Sequence, residues 1–169
     1  MELKKLPAIL AASGMVFALQ GHALTSTDNL MVTAEVAANC TITTLPVAFG
    51  AYDPIGTNAS SPLNATGTVT VRCTNGSPST ITLGQGVNPD TGSTDDIPLR
   101  RMAGGPSRLS YGLYSDAGFT TVWGNTLWTG VPHTGDGTAT AITVYGEVPA
   151  GQNVTATNYS DMVVATVTF

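Results

Sequence analysis

Side chains able to do acid–base or nucleophilic chemistry are few and scattered in this 169-residue sequence. His133 lies in the Gly-rich stretch "GVPHTGDGT", where a solvated loop histidine is the usual situation. Nucleophilic catalysis needs such a base held beside a Ser, Cys or Thr, and no GxSxG motif or phosphate-binding glycine loop accompanies it. Glu35 and Glu147 are isolated glutamates and give little support to paired-carboxylate chemistry. We therefore expect that the protein is not an enzyme.

The acidic loop "NPDTGSTDD" brings Asp90, Asp95 and Asp96 close together in sequence. Carboxylate oxygens bind Ca²⁺, but this spacing lacks the bidentate glutamate that ends a twelve-residue calcium loop, so we interpret the loop as solvated. A zinc site is not expected either, because no third or fourth soft ligand lies near the cysteines in sequence. The sequence predicts neither a metal nor another cofactor.

The N-terminal segment has the pattern of a secretory signal peptide. Two lysines precede an apolar stretch at 6–19, and the small residues Gly21 and Ala23 follow it. A membrane anchor is the alternative, but this apolar stretch is shorter than the roughly 18–20 residues that a span needs. We expect residues 1–23 to be removed and the mature chain to leave the cytoplasm.

Removal of this segment changes the charge of the chain. The sequence has six basic and eleven acidic residues, and losing both lysines and Glu2 leaves four arginines against ten acids, a net charge of −6. Phosphate backbones are bound by clustered Lys and Arg, so we do not expect nucleic-acid binding. The mature chain of about 146 residues has the size of one domain that can bury a core.

Cys40 and Cys73 are the only cysteines, and both lie in strand-like runs. In an oxidising compartment two such cysteines form one disulfide by default. Closing this loop restrains the unfolded chain by about 3–4 kcal/mol on the loop-entropy model. We expect a Cys40–Cys73 disulfide.

Short runs that alternate apolar and polar residues recur along the mature chain, separated by loops rich in Gly, Pro, Asn and Asp. No stretch after Ala23 has a sustained apolar stripe at helical spacing. Regularly spaced strands of this kind predict an all-β antiparallel sandwich with one core. The runs are "NLMVTAEV", "CTITTLPVAFG", "GTVTVRCT", "STITLGQG", "RLSYGLYSD", "TVWGNTLWTG", "ATAITVYGEVP" and "DMVVATVTF".

The first and last runs have the clearest alternation. In 29–37 one face carries Leu30, Val32, Ala34 and Val36. In the last run, one face carries Val163, Ala165, Val167 and Phe169. Two interpretations stay open on the pattern alone. Both runs are ordinary strands of a complete sandwich, or the first is a spare strand and the last lacks a partner.

Several motifs, in order along the chain, resemble the spore coat protein U domain family, which includes subunits of archaic chaperone–usher pili in Gram-negative bacteria. The resemblance covers the chain from about Val32 to Phe169. Its motifs are "VAFGAYDP" at 47–54, "VTVRCT" around Cys73, "RRMAGG" at 100–105, "LSYGLYSD" at 109–116, "VWG" at 122–124, "YGEVPAGQ" at 145–152 and "YSDMVVATVTF" at 159–169.

This resemblance implies an immunoglobulin-like sandwich that lacks its final strand and is completed by a donor strand from another subunit. The extension at 24–37 would carry the donor (Leu30, Val32, Ala34, Val36), and the domain at 38–169 would line its acceptor groove, also facing the chaperone, with Val163, Ala165, Val167 and Phe169. The partners implied are identical or related pilin subunits, a periplasmic chaperone and an outer-membrane usher. The location implied is a fimbrium on the cell surface, with a role in adhesion or biofilm formation.

A second hypothesis is a stand-alone secreted module that binds carbohydrate or another surface. Most aromatic residues lie in or beside predicted strands, where core packing is their usual role. Trp128, in the loop-like "TLWTGVPHTG", is the one least expected to be buried. A lectin-like β-sandwich is therefore the alternative to a fibre subunit.

Overall fold

The computed structural model of this protein describes Gly21 and residues 23–169. Residues 36–169 form one structural unit, and the residues before them belong to another. The predicted signal peptide lies outside the described residues except for Gly21 and Ala23. No helix in the described part of the chain is long and apolar enough to cross a membrane.

The regular structure of the described residues is almost entirely β-strand, with one 3₁₀ turn at Thr57–Ala59. The strands are β1 (Cys40–Leu45), β2 (Leu63–Cys73), β3 (Pro78–Leu83), β4 (Arg100–Gly104), β5 (Ser107–Tyr114), β6 (Val131–Thr134), β7 (Thr140–Val148) and β8 (Ala165–Thr168). One antiparallel sheet has the order β1-β2-β7-β5-β4, and the other has the order β6-β3-β8. The predicted all-β fold with two antiparallel sheets is confirmed.

β2 illustrates why these segments become strands. In "LNATGTVTVRC" Val69, Val71 and Cys73 alternate with polar residues and are buried. Thr70 and Arg72 lie between them on the opposite face, where Thr70 is partly exposed and Arg72 is exposed. The apolar face packs into the core, while the main chain pairs with β1 on one side and β7 on the other.

The core lies between the two sheets, and a buried tryptophan links them. Trp123 is fully buried in the loop after β5, where its main-chain N–H donates to the carbonyl of Leu113 at 2.9 Å. Its indole N–H donates to the carbonyl of Ile81 in β3 at 2.9 Å. This one residue therefore fills the core with its side chain and bonds a strand of each sheet, β5 through its main chain and β3 through its indole.

Arg100 makes a second polar link between the sheets. It begins β4, is buried, and donates hydrogen bonds of 2.8 Å to the carbonyls of Leu83, Gly84 and Trp123. Burial lowers the pKa of Arg100 to about 10, which leaves the guanidinium charged at neutral pH. The guanidinium is therefore hydrogen-bonded by main-chain carbonyl groups rather than by a carboxylate.

The predicted disulfide between Cys40 and Cys73 is confirmed. The two residues face each other in the β1–β2 register, with their Cα atoms 4.1 Å apart. The chain just before β1 is held at the same place, because the main-chain N–H of Asn39 donates to Thr74 Oγ1 at 3.1 Å and the Thr74 N–H donates to the Asn39 carbonyl at 2.9 Å. The start of the sandwich is therefore tied at one end of β2.

Two of the alternating runs do not form strands where the sequence predicts them. The run 29–37 has no helix or strand, and Leu30, Val32 and Val36 are more than 80% exposed. A strand needs a neighbour for its main-chain groups, and apolar alternation alone does not supply one. The run 121–130 is also not a strand, because it folds into hydrogen-bonded turns around Gly124 and Gly130.

Candidate strand-binding groove

The first wall of the candidate site is the segment 46–54, which follows β1 and leaves the sheet edge. Val47 and Phe49 cross over β2 and β7 at two glycines. A Cβ at Gly67 would lie 2.7 Å from Val47 Cγ2, and one at Gly146 would lie 2.6 Å from Val47 Cγ1. Only glycine leaves room for this wall to pack so closely on the sheet.

The second wall is the segment 154–163, which leads into β8. It is fastened to β4 by reciprocal main-chain hydrogen bonds between Ala103 and Ser160, at 2.8 and 3.1 Å. The hydroxyl of Tyr111 donates to Asp161 Oδ2 at 2.7 Å, while the N–H of Val87 donates to Asp161 Oδ1 at 3.1 Å. The wall is therefore held from β5 and from the loop after β3.

The hydrogen bond from Tyr111 also has an electrostatic consequence. Burial of the phenol, together with the bond to Asp161, raises the pKa of Tyr111 far above its ordinary value. Tyr111 is therefore a neutral hydrogen-bond donor at every physiological pH. Phe49 packs edge-on against the Tyr111 ring, with the ring centroids 6.2 Å apart, so the phenol contacts both walls.

A groove of about 820 Å³ opens between the two walls. Its floor is apolar and is formed by Val69, Leu83, Leu109, Leu113, Val144 and Val148. Asp161 is the only charged residue among the described residues that line the groove, and its carboxylate already accepts hydrogen bonds from Tyr111 and Val87. The groove therefore offers an apolar surface of the size of a ligand site and no free charge.

Both walls present unpaired main-chain groups. Within the described chain, residues 46–51 and 154–159 make no hydrogen bond between main-chain groups. β8 pairs with β3 along one edge, and its other edge pairs with no strand of the described chain. Unpaired N–H and C=O groups on a sheet edge are a template for an added strand.

Tyr52 lines the groove and is bonded to Gln152, and the sequence pattern indicates a role for neither residue. The Tyr52 hydroxyl donates to the carbonyl of Pro149 at 2.9 Å and accepts the N–H of Gln152 at 3.0 Å. The Gln152 amide imitates a peptide group, since it bonds both the N–H and the carbonyl of Ser110 at 2.8 and 2.9 Å. The motifs "GAYDP" and "PAGQ" contain these residues, but nothing in their pattern indicates a pairing across 100 residues.

The predicted acceptor residues occupy different places. Val163 and Ala165 line the groove, and Val167 packs against the core without lining it. Phe169 is 55% exposed and lines a separate hollow on the smaller sheet. No observation tests the assignment of these residues or of Leu30, Val32, Ala34 and Val36 to a donor contact, and it stays a prediction.

Candidate chemical residues are not brought together. The carbonyl of His133 in β6 accepts a hydrogen bond from Ser79 at 3.1 Å, and both cysteines of the described chain are in the disulfide. Asp90 pairs with Arg101 at 2.8 Å. A hydrogen bond from Asn125, with one from Gln85, lowers the pKa of Asp95. No group of three potential metal ligands occurs in the described residues.

Comparison with known proteins identifies the family. A model of the Spore Coat Protein U domain matches residues 26–166. The chain belongs to the Spore Coat Protein U domain family. Protein U of Myxococcus xanthus is 44% identical over 170 residues, which cover 96% of this chain and 95% of that protein. The family that the sequence motifs resemble is thereby confirmed.

Comparison with solved structures bears on the fold of this family member. A chain in the crystal structure of the CsuC–CsuE chaperone–tip adhesion subunit pre-assembly complex, from archaic chaperone–usher Csu pili of Acinetobacter baumannii, is 19% identical with a TM-score of 0.56. The match covers 79% of this chain and only 40% of that chain. The Escherichia coli Hda pilus minor tip subunit HdaB is 17% identical with a TM-score of 0.41, over 75% of this chain and 79% of that one. The likeness to the first structure shows a pilin-type sandwich fold.

Proposed function

We propose that this chain is a structural subunit of a secreted surface fibre that assembles by donor-strand complementation. The observation that carries the proposal is the apolar groove with unpaired main-chain groups along both walls. A compact ligand would satisfy the apolar floor but leave those groups unpaired. An extended peptide buries its side chains in the groove and pairs its main chain with the walls at the same time.

The N-terminal extension has the composition that such a groove requires. Residues 29–37 are nine residues that span roughly 30 Å as a strand. The face with Leu30, Val32, Ala34 and Val36 is apolar, and these side chains are exposed. Burying them would contribute at most about 5–10 kcal/mol before the cost of ordering the chain.

The expected donor is the extension of another copy. Asn39 is held beside Thr74, where β1 begins, whereas the wall 46–54 follows the other end of β1. An extension inserted into its own groove would have to reverse direction close to this anchored point. Insertion into the next copy needs no reversal, and this head-to-tail contact does not close on itself, so it generates a fibre.

Export partners complete the proposal. A signal peptide at 1–23 would send the chain to the periplasm, where the Cys40–Cys73 disulfide can form. A chaperone would cover the groove there, since an open apolar edge promotes aggregation, and an usher would exchange that strand for the next subunit's extension. The structural neighbour from Csu pili, whose complex contains a chaperone and a tip adhesion subunit, supports these partners and a role in adhesion or biofilm formation.

The test compares the mature chain with a chain that lacks residues 24–37, both purified from the periplasm and measured by size-exclusion chromatography with light scattering. We expect SDS-resistant multimers from the full chain and none from the truncated chain. A stable monomer of the full chain that unfolds on truncation would contradict the proposal. It would favour an extension that completes its own sandwich and a stand-alone binding module.

A further inference from the structure

The turn that carries Trp128 is the most exposed aromatic feature of the described chain. Trp128 is 94% exposed and its neighbour Leu127 is 61% exposed, whereas Trp123, five residues earlier, is fully buried. A folded chain gains stability by burying a large indole. An exposed indole beside an exposed leucine therefore indicates a surface that binds another molecule. Tryptophan is also enriched where binding energy is concentrated.

Hydrogen bonds within the turn and to a neighbouring loop hold its main chain in place. Thr126 Oγ1 donates to Asp96 Oδ1 at 2.6 Å and lies 2.9 Å from Thr129 Oγ1. The N–H of Gly130 donates to the Thr126 carbonyl at 2.9 Å, and the N–H of Gly124 donates to the Thr129 carbonyl at 3.1 Å. Trp128 is therefore held outward, and contact with a ligand costs little loop ordering.

Beside the turn is a hollow of about 490 Å³ on the smaller sheet, and Leu127 forms part of its rim. Thr80 in β3 lies opposite Pro132 in β6 and Thr168 in β8. Ser79 and Ile81, on either side of Thr80, are buried, so the Thr80 side chain points to the outer face. The sheet thus places a row of hydroxyl and proline side chains along the floor of the hollow.

The chemistry of the hollow is neutral and amphipathic. None of its lining residues has an Asp, Glu, Lys or Arg side chain, although the mature chain carries a net charge of −6. The hydroxyl groups come from Thr80, Thr134 and Thr168, and the apolar surface comes from Leu127, Pro132 and Phe169. A charged ligand would meet no Asp, Glu, Lys or Arg side chain there, and a purely apolar ligand would leave the hydroxyl groups unpaired.

We propose that this hollow, together with Trp128, which follows the lining residue Leu127 in the chain, binds a neutral polysaccharide. A sugar ring has an apolar C–H face and a rim of hydroxyl groups, which match the indole and apolar rim on one side and the threonines on the other. The size of the hollow lies within the range of small-ligand sites. Its lining shares no residue with the groove between the sheets, so this activity goes beyond fibre assembly and does not depend on it.

The test measures binding of the full mature chain to amylose, cellulose and chitin, with alginate as an anionic polysaccharide and polystyrene beads as an apolar surface. We expect saturable binding to at least one neutral polysaccharide, with no loss in 1 M salt. Trp128→Ala should weaken this binding at least about tenfold, as loss of a central aromatic contact does. Thr80→Val should weaken it as well, since it removes only the hydroxyl group.

The matched control is Ile55→Ala, which removes another exposed apolar side chain, 89% exposed, from outside the hollow. This variant should bind like the parent. In Trp128→Ala the buried Trp123 becomes the only tryptophan, so a blue-shifted fluorescence spectrum of this variant would show an intact core. Multimer formation is scored separately and should not change.

Four outcomes would overturn the inference. They are the absence of binding to all three neutral polysaccharides, binding only to alginate, binding only to polystyrene, and polysaccharide binding that Trp128→Ala retains. A mature chain that binds polysaccharide but forms no multimers would contradict the fibre proposal and leave the polysaccharide proposal standing.

Discussion

The N-terminal extension and the groove both expose apolar side chains and main-chain groups that no neighbouring strand pairs. The extension exposes alternating apolar side chains and has no strand, while the groove exposes an apolar floor and two walls with unpaired main-chain groups. By contrast, the central strands β2 and β3 pair with a neighbour on both edges, and their inward apolar side chains are buried. We interpret this difference as one unfilled strand position in the sandwich and one strand-like segment suited to fill such a position, as the proposed donor-strand contact requires.

The largest expected effect comes from charging the inserted face of the extension. Ala34→Asp should abolish multimers, because a buried aspartate without a partner costs more than the insertion gains. Multimers are measured by SDS-resistant mobility and light scattering. Thr33→Asp, which places the same charge on the opposite face, is the control and should polymerise. Equal behaviour of the two variants would break the assignment of the donor face.

The matching change in the groove should be equally severe for assembly. Val163 lines the groove, whereas its neighbour Val164 is 65% exposed and is not among the lining residues. Val163→Asp should therefore prevent multimers, and Val164→Asp should permit them, in the same light-scattering assay. Near-UV circular dichroism reports whether each monomer is still folded. Polymers from folded Val163→Asp would place the contact elsewhere.

Loss of the disulfide should lower the free energy of unfolding of the sandwich by about 3–4 kcal/mol. Cys40→Ser combined with Cys73→Ser removes the tie at the start of β1 without leaving a single thiol. Chemical denaturation of extension-free chains measures the difference, so that assembly does not contribute. A change below about 1 kcal/mol would mean that the Asn39–Thr74 hydrogen bonds fix this end by themselves.

A smaller effect is expected where the first wall crosses the sheet. In Gly146→Ala the new Cβ would meet Val47 Cγ1 at 2.6 Å and Phe49 Cζ at 2.8 Å, which predicts a loss of about 1–3 kcal/mol from overpacking and weaker assembly. Gly84→Ala is the control, because its nearest contact is 3.5 Å. Denaturation midpoints that shift equally would show that the wall moves aside freely.

The smallest effect concerns acid stability of the turn after β5. Hydrogen bonds from the main chain of Thr121, and from Thr120, lower the pKa of Asp116. This contribution is therefore complete above the unfolded pKa, near 3.9, and is lost as the pH falls through the lower folded value. In Asp116→Asn, the melting temperature should fall less steeply with pH below about 4. Parallel melting curves would contradict this role.

The sequence predicted those features that depend on local pattern or on cysteine chemistry. β2 follows from its valine–threonine alternation, and the disulfide follows from two cysteines in a chain whose sequence predicts secretion. The walls of the groove could not be predicted in this way. Segment 46–54 is positioned by glycines on two other strands, and segment 154–163 by hydrogen bonds to Ala103 and Tyr111. The residues of each segment therefore do not indicate where that segment lies in the fold.

The central claim is that an extension from one copy fills the groove of another, and mixing two blocked variants tests it most directly. Ala34→Asp can accept an extension in its groove but cannot donate its own. Val163→Asp can donate its extension but cannot accept one. We predict that the mixture gives a heterodimer of one copy of each, measured by light scattering, while each variant alone stays monomeric. Two monomers that do not associate on mixing, or long polymers from the mixture, would contradict the claim.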